Sequence, residues 1–210
     1  MGSENFDDNN RRNNYEPYLL ASYLLDSSKP AIIFTQGDNY TFPLWYAQEV
    51  EGKGKSHTIV DYSYLSSPRY VVNLMKQGDR GLHLMAKPED ILYLAYAFTE
   101  IPPDPGTPPP SLKDLLKDLY AKKEGNPRFS HSEFVLPGKD SLIFKLKELS
   151  GGNKNLEFKK LMLLDIIASN FDNHTGKNLL FLKIIDPSFT AGLDSLLQWA
   201  EKGKIMTPWQ

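Results

Sequence analysis

The sequence predicts an α/β fold built on a mostly parallel sheet. Three short segments, 31–35, 58–62 and 179–184, are apolar without polar alternation, which is typical of strands that are covered on both faces. A helical pattern over 41–51 separates the first two, and another helical pattern follows the second, which is the order of a βαβ unit. We therefore expect a Rossmann-like, mostly parallel sheet with helices on both faces and a short antiparallel strand addition.

The N-terminal elements follow from local composition. Residues 1–14 are acidic and rich in asparagine, which predicts an exposed entry segment ahead of a single α/β domain over 15–210. Apolar residues at helical spacing predict a first helix over 15–25. In the helix after the first strand, Thr41 is a plausible N-cap and Pro43 falls in the first turn, where its missing N–H costs nothing.

The middle of the chain combines three helices with a stiff connector. Helices are expected to begin at 66–68 and 87–88, because proline is favoured in a first turn. Six prolines in nine positions predict an extended connector over 102–110. Ser111 and Asp114 then resemble a capping box at the start of a third helix. The predicted inward-facing residues are Tyr70, Val71, Leu74 and Met75; Ile91, Leu94, Ala95 and Phe98; and Leu112, Leu115, Leu116 and Leu119.

The rest of the chain adds a strand pair and two helices. Segments 134–136 and 141–147 are strand candidates on either side of a Pro-Gly pair, and a last helix is expected over 192–202. The helix predicted over 156–169 is apolar almost all round in its second half, which indicates deep burial. Asp165 interrupts it, so we expect this carboxylate to accept a hydrogen bond from a backbone N–H or a basic side chain. Asp165→Leu would then be tolerated, whereas loss of the partner alone would destabilise the fold.

Composition excludes several classes of function. The net charge of −2 lacks the basic footprint of nucleic-acid binding, so we expect no nucleic-acid partner. Without cysteine, no thiolate nucleophile, zinc–cysteine site or iron–sulfur cluster can form. Because the four histidines are widely spaced and the GxSxG, GxGxxG and GxxxxGK[ST] motifs are absent, we expect no metal and no cofactor. No apolar run reaches the roughly 18 residues that span a bilayer.

The loop 36–41 is the best candidate for a binding site. It follows the first predicted strand, and ligands of parallel α/β sheets bind outside the carboxyl ends of the strands. Asp38 and Asn39 could bind a metal or sugar hydroxyls, and we expect them beside Trp45 or Tyr62 with an open cleft. The candidate ligand-binding residues are Gln36, Asp38, Asn39, Tyr40, Thr41 and Trp45.

A simpler interpretation of the same loop is structural. Gly37 would turn the chain with a positive φ, while Asp38, Asn39 and Thr41 would cap the following helix. The nearby aromatic residues suit a core or a protein interface as well as they suit a sugar. Both interpretations stay open at this point.

The segment 31–65, AIIFTQGDNYTFPLWYAQEVEGKGKSHTIVDYSYL, resembles the extramembrane part of large multi-pass membrane proteins of Bacteroidota that carry a domain of unknown function. Three further stretches, 5–11, 161–170 and 192–208, are similar to the same family. The membrane half of that family resembles the GT-C glycosyltransferases, which use lipid-linked sugars, and is related to an animal protein O-mannosyltransferase.

The resemblance implies a C-terminal domain tethered to its own missing membrane half, at the periplasmic face of the bacterial inner membrane. The catalytic acidic residue of a GT-C enzyme belongs to the membrane half, so the resemblance implies a non-catalytic accessory domain. Its expected partner, besides that membrane half, is the acceptor protein or glycan, bound through the loop 36–41. The alternative is a structural or protein-interaction module of a membrane protein, with no ligand site.

Overall fold

The computed structural model describes residues 21–22, 25–26, 30–78, 81–103, 107–122, 125–136, 143–170 and 178–181. These residues form a mixed α/β fold with one three-stranded parallel sheet and two small antiparallel pairs. The predicted entry segment 1–14 and the predicted helix 192–202 lie outside the described residues. So does most of the helix predicted over 15–25, of which Ala21, Ser22 and Leu25 are described and helical.

The described elements follow one another in an alternation of strands and helices. In chain order they are β1 (Ala31–Thr35), α1 (Asp38–Glu49), β2 (Thr58–Asp61), a 3-10 helix (Ser63–Ser66), α2 (Pro68–Met75), α3 (Pro88–Ala95), β3 (Thr99–Glu100), α4 (Leu112–Ala121), β4 (Glu133–Val135), β5 (Ile143–Lys145), α5 (Leu146–Leu149), β6 (Asn155–Leu156), α6 (Phe158–Asn170) and β7 (Asn178–Phe181).

The three predicted parallel strands lie in one sheet, in the order β2-β1-β7. Both pairings are parallel, with Thr35 opposite Asp61 at one end of the first pair and Ala31 opposite Asn178 in the second. Every residue of β1 and β2 is buried, which explains why neither strand shows polar alternation in the sequence.

Helices cover both faces of the β1–β2 pair. Ile32, Phe34 and Val60 belong to the large core cluster, to which α2, α4 and α6 contribute most of their buried side chains. Ile33 and Ile59 point the other way, into a smaller cluster that includes residues of α1 together with Ala21 and Leu25. Successive side chains of β1 thus point alternately into the two clusters, as expected for a strand packed between two layers of helices.

The start of α1 and the end of α3 differ from the sequence-based expectation. The helix predicted over 41–51 begins at Asp38, so Thr41 is not its N-cap and Pro43 lies inside the helix, beyond the first turn. Gly37 holds the N-cap position instead. Phe98, which was expected to face inward, is 77% exposed because α3 ends at Ala95, before the turn that would have carried it.

The predicted strand pair and the Ser111 cap are confirmed. β4 and β5 pair in antiparallel fashion, although β5 is shorter than predicted because the chain turns into α5 at Leu146. Ser111 Oγ accepts a hydrogen bond from the Asp114 N–H at 3.1 Å and caps α4. The predicted connector 102–110 has no helix or strand in its described residues.

Asp165 of α6 is fully buried and hydrogen-bonded, as expected. Its carboxylate accepts from the backbone N–H groups of Met85 at 2.8 Å and Ala86 at 3.0 Å. Tyr120 Oη and Ser169 Oγ donate to the same carboxylate, at 2.8 and 2.9 Å. Burial raises the pKa of Asp165, and the hydrogen bonds from these four donors oppose that rise. The side chain thus holds α6, α4 and the segment before α3 together.

Candidate functional site

The loop 36–41 lies at the carboxyl ends of the parallel strands, where it was expected. β1 ends at Thr35, directly beside Asp61 at the end of β2, and the chain enters α1 two residues later through Gly37. Gly37 has φ 82° and ψ 158°, which confirms the predicted positive φ. This backbone conformation is open to glycine and strained for other residues.

A buried polar network forms the base of the loop. Thr41 Oγ1 donates to Asp61 Oδ2 at 2.6 Å, and because a hydroxyl has one proton, Thr35 Oγ1 donates to Thr41 across 2.8 Å. Asp61 Oδ1 accepts from the Ser63 N–H at 2.8 Å, and the Asp61 N–H donates to Tyr70 Oη at 2.9 Å. Asp61 is only 1% exposed. The network therefore joins α1, β1, β2 and the 3-10 helix at one point.

Asp61 was not among the residues predicted for the site. The signal in the sequence is a carboxylate at the end of the second apolar strand, in the segment TIVDY, and parallel topology brings such residues to the edge that carries the loop. Its partner Thr41 was predicted to contact ligand, but the Thr41 side chain is fully buried and directed to Asp61.

Asp38 and Asn39 lie on the outside of the loop and do not cap the helix. Both are exposed, and no side chain makes a cap hydrogen bond at the start of α1. Tyr64 Oη donates to Asp38 Oδ1 at 3.2 Å, and this hydrogen bond, together with the charge of Asp38, raises the pKa of Tyr64. The capping interpretation is therefore wrong for Asp38, Asn39 and Thr41.

An aromatic row, made of Phe42, Trp45, Tyr64 and Tyr70, runs beside Asp38. The ring centroids of Phe42 and Trp45 are 5.7 Å apart, and those of Trp45 and Tyr64 are 6.4 Å apart with only 17° between the ring planes. Tyr70 meets Tyr64 edge-on at 5.6 Å. Phe42 is 48% exposed and Tyr64 37%, so the row is a surface feature. Tyr62, the expected neighbour of the loop, is buried instead.

The structure thus brings part of the predicted set together. Asp38 and Trp45 both contact Tyr64, one of the aromatic residues near the loop that the sequence analysis considered but did not include among the candidate site residues. Gln36 and Tyr40 are half-buried at the edges of the loop. Within the described part of the chain, no three His, Asp or Glu side chains converge as a metal-binding set would.

Replacing Gly37 by alanine is expected to lower the free energy of unfolding by about 1–3 kcal/mol. A Cβ at this position would meet no atom within 4 Å, so the cost comes from the backbone conformation alone. Chemical denaturation measures the effect, with Asn39→Ala on the exposed side of α1 as the control, which we expect to change stability by less than about 0.5 kcal/mol. Equal stability of Gly37→Ala and the unmodified chain would show that alanine adopts this backbone conformation without strain.

Comparison with known proteins gives a family match that covers the site. Residues 19–90 match the family model described as TMEM260-associated domain 2, a domain of a membrane-protein family. The matched range contains the loop, the aromatic row and Asp61, and it agrees with the resemblance of segment 31–65 to an extramembrane domain. No curated protein and no solved structure matches the chain. No helix among the described residues is long and apolar enough to cross a membrane.

Proposed function

We propose that this chain is a non-catalytic accessory domain of a membrane-bound, GT-C-like glycosyltransferase, and that it binds the acceptor protein or its glycan through the loop 36–41 and the aromatic row. The observation that carries the proposal is the stack of Phe42, Trp45 and Tyr64 beside the carboxylate of Asp38, in which Phe42 and Tyr64 are exposed and Trp45 is half-buried. Protein sites for small polar ligands combine apolar or aromatic surface with a few fixed polar groups.

The geometry of the row suits the two kinds of surface that a sugar presents. The exposed rings of Phe42 and Tyr64 offer apolar area to the C–H face of a pyranose ring, and the half-buried Trp45 stacks against both. Asp38 is a carboxylate with acceptor sites beyond the one that Tyr64 Oη uses, so it can accept from sugar hydroxyls. Exposed Asn39, in the same turn, adds an amide that both donates and accepts.

The family context supports the same proposal. Both the sequence resemblance and the match of residues 19–90 to a domain of a membrane-protein family favour a domain that works beside a membrane-embedded partner. On this proposal the domain is Rossmann-like, belongs to the Bacteroidota type of protein and faces the periplasm. The chemical step then takes place in the membrane half, and this domain holds or orients the acceptor.

A glycan array probed with the chain, followed by NMR titration of the binding oligosaccharide, tests the proposal. We expect shifts confined to residues 36–45 and Tyr64. Phe42→Ala removes one exposed ring and should weaken binding about ten-fold, as loss of an aromatic anchor does. Tyr96→Ala is the matched control, because Tyr96 is an exposed aromatic residue outside the row, and it should leave binding unchanged.

A second experiment tests the role of Asp38 in the complete membrane protein. Since Asp38 is exposed and caps nothing, Asp38→Ala should fold normally but reduce glycosylation in cells that express the full-length protein. Shifts at residues 36–45 with an acceptor peptide but with no sugar would make the site a protein contact. No shift with any sugar or acceptor peptide would overturn the proposal and favour a structural module.

A further inference from the structure

A second concave site lies between α3 and the C-terminal end of α4. It is a cleft of about 180 Å³ that shares no residue with the loop 36–41 or the aromatic row. Its apolar part includes the buried side chains of Leu94 and Leu119, and the rings of Tyr93 and Tyr120 also line it. Sites for drug-sized ligands measure roughly 300 Å³ or more, so this cleft has the size of a single side chain.

The charge around the cleft is negative. Glu89 and Asp90 line it from the first turn of α3, against one cation, Lys122, among the lining residues. Asp90 Oδ2 accepts from the Lys87 N–H at 3.1 Å, so the orientation of this carboxylate is fixed by the helix start. The exposed carboxylate of Glu89 has no such role in holding the helix.

A negative potential also reaches the inner part of the cleft. Tyr120 Oη donates to the buried carboxylate of Asp165 at 2.8 Å. Burial raises the pKa of Tyr120 well above its usual value, and the charges of Asp165 and Asp90 raise it further. A cation in the cleft would therefore be attracted by the carboxylates of Glu89 and Asp90, which line it, and by that of Asp165, which is hydrogen-bonded to Tyr120.

The surface beside the cleft is unusually apolar for an exposed helix. Tyr93 lines the cleft and is also partly exposed, and Tyr96, the C-cap residue that follows α3, is 86% exposed. Leu92 is a further exposed apolar residue of this helix. Protein-binding surfaces are enriched in tyrosine, and their strongest contacts are anchor side chains that fill small pockets.

We propose that this cleft is the anchor pocket of a protein-binding surface and that it takes one basic side chain, arginine or lysine, from a partner polypeptide. The aliphatic part of that side chain packs against Leu94 and Leu119. Its cationic group lies near the Tyr93 ring and the Glu89 carboxylate, where cation–π and ionic attraction act together. The partner is chosen by charge, because the Glu89 and Asp90 carboxylates repel an acidic side chain and give a neutral one no ionic attraction.

NMR titration of the chain with the peptide acetyl-Gly-Arg-Gly-amide tests this inference. The matched probe replaces arginine by citrulline, which keeps the shape and removes the charge. We expect shifts of residues 89–94 and 119–122 with the arginine peptide, and binding at least several-fold weaker with the citrulline peptide. Glu89→Gln should weaken the arginine peptide about two- to five-fold, as loss of an exposed ion pair does.

Two further variants separate the pocket from general charge effects. Glu148→Gln removes an exposed glutamate of α5 and should leave binding unchanged. Tyr93→Leu keeps an apolar wall but removes the ring, and should weaken binding of the arginine peptide more than Glu148→Gln does. Equal binding of the two peptides, no binding of either, or shifts confined to the aromatic row would each overturn the inference. Equal binding of the two peptides at the cleft, or no binding of either, does not bear on the proposed glycan site, which the Phe42→Ala variant tests separately.

Discussion

Asp165→Ala is expected to lower the free energy of unfolding by about 3–5 kcal/mol, the largest effect of any substitution considered for this fold. The change removes the acceptor of four hydrogen bonds in a fully buried position. Two of the donors, the N–H groups of Met85 and Ala86, belong to the backbone and stay in place after any substitution. The hydroxyl groups of Tyr120 and Ser169 lose their acceptor as well.

The identity of the donors changes one expectation drawn from the sequence. Asp165→Leu would be tolerated only if the polar partner were a side chain that could be removed with it. Because two partners are main-chain N–H groups, leucine leaves buried donors unsatisfied, so we now expect it to destabilise nearly as much as alanine.

Thermal and chemical denaturation of three Asp165 variants (alanine, leucine and asparagine) and of one control variant measures the effect. Asp165→Asn keeps one acceptor oxygen and should fall between alanine and the unmodified chain. Ser169→Ala is the control within the same cluster, because it removes one donor of four and should cost about 0.5–1.5 kcal/mol. Losses below about 1 kcal/mol for both Asp165→Ala and Asp165→Leu would show that the four hydrogen bonds do not hold these elements together.

The parallel sheet was predictable because its signal is local. Each strand is a short apolar run. Because every residue in β1 and β2 is buried, neither strand alternates between polar and apolar residues. The start of α1 was not predictable in the same way. Thr41 has the composition of an N-cap, but the tertiary hydrogen bond to Asp61 takes its hydroxyl, and the glycine four residues earlier begins the helix.

The candidate site, too, was predictable from local sequence signals but not where it depends on tertiary contacts. The loop 36–41 was found from its position after an apolar strand, which the sequence displays. Asp61 was missed, and Tyr64 was considered only as one of several nearby aromatic residues, because each joins the site through a hydrogen bond to a residue twenty or more positions away, which no spacing rule reveals. Phe98 was placed inward by helical spacing, and the early end of α3 left it on the surface.

Asp61→Ala is expected to lower the free energy of unfolding by about 2–4 kcal/mol and to disturb the aromatic row as well. The carboxylate holds α1 through Thr41 and the start of the 3-10 helix through the Ser63 N–H. Trp45 belongs to the first of these elements and Tyr64 to the second, so we expect Asp61 to fix the distance between these two stacked rings.

A double-mutant cycle separates the direct hydrogen bond from the rest of this effect. Thr41→Val removes the hydroxyl at nearly constant volume, and combining it with Asp61→Ala should give a coupling energy of about 1.5–3 kcal/mol, the range for a hydrogen bond to a charged group. Ser66→Ala, at an exposed hydroxyl of the same 3-10 helix, should change stability by less than about 0.5 kcal/mol.

The ring signals of Tyr64 in NMR spectra report the disturbance of the aromatic row. They should shift in Asp61→Ala and stay unchanged in Ser66→Ala, because only the first substitution releases the Ser63 N–H. A coupling energy near zero, or unchanged Tyr64 signals in Asp61→Ala, would show that the buried network does not position the aromatic row.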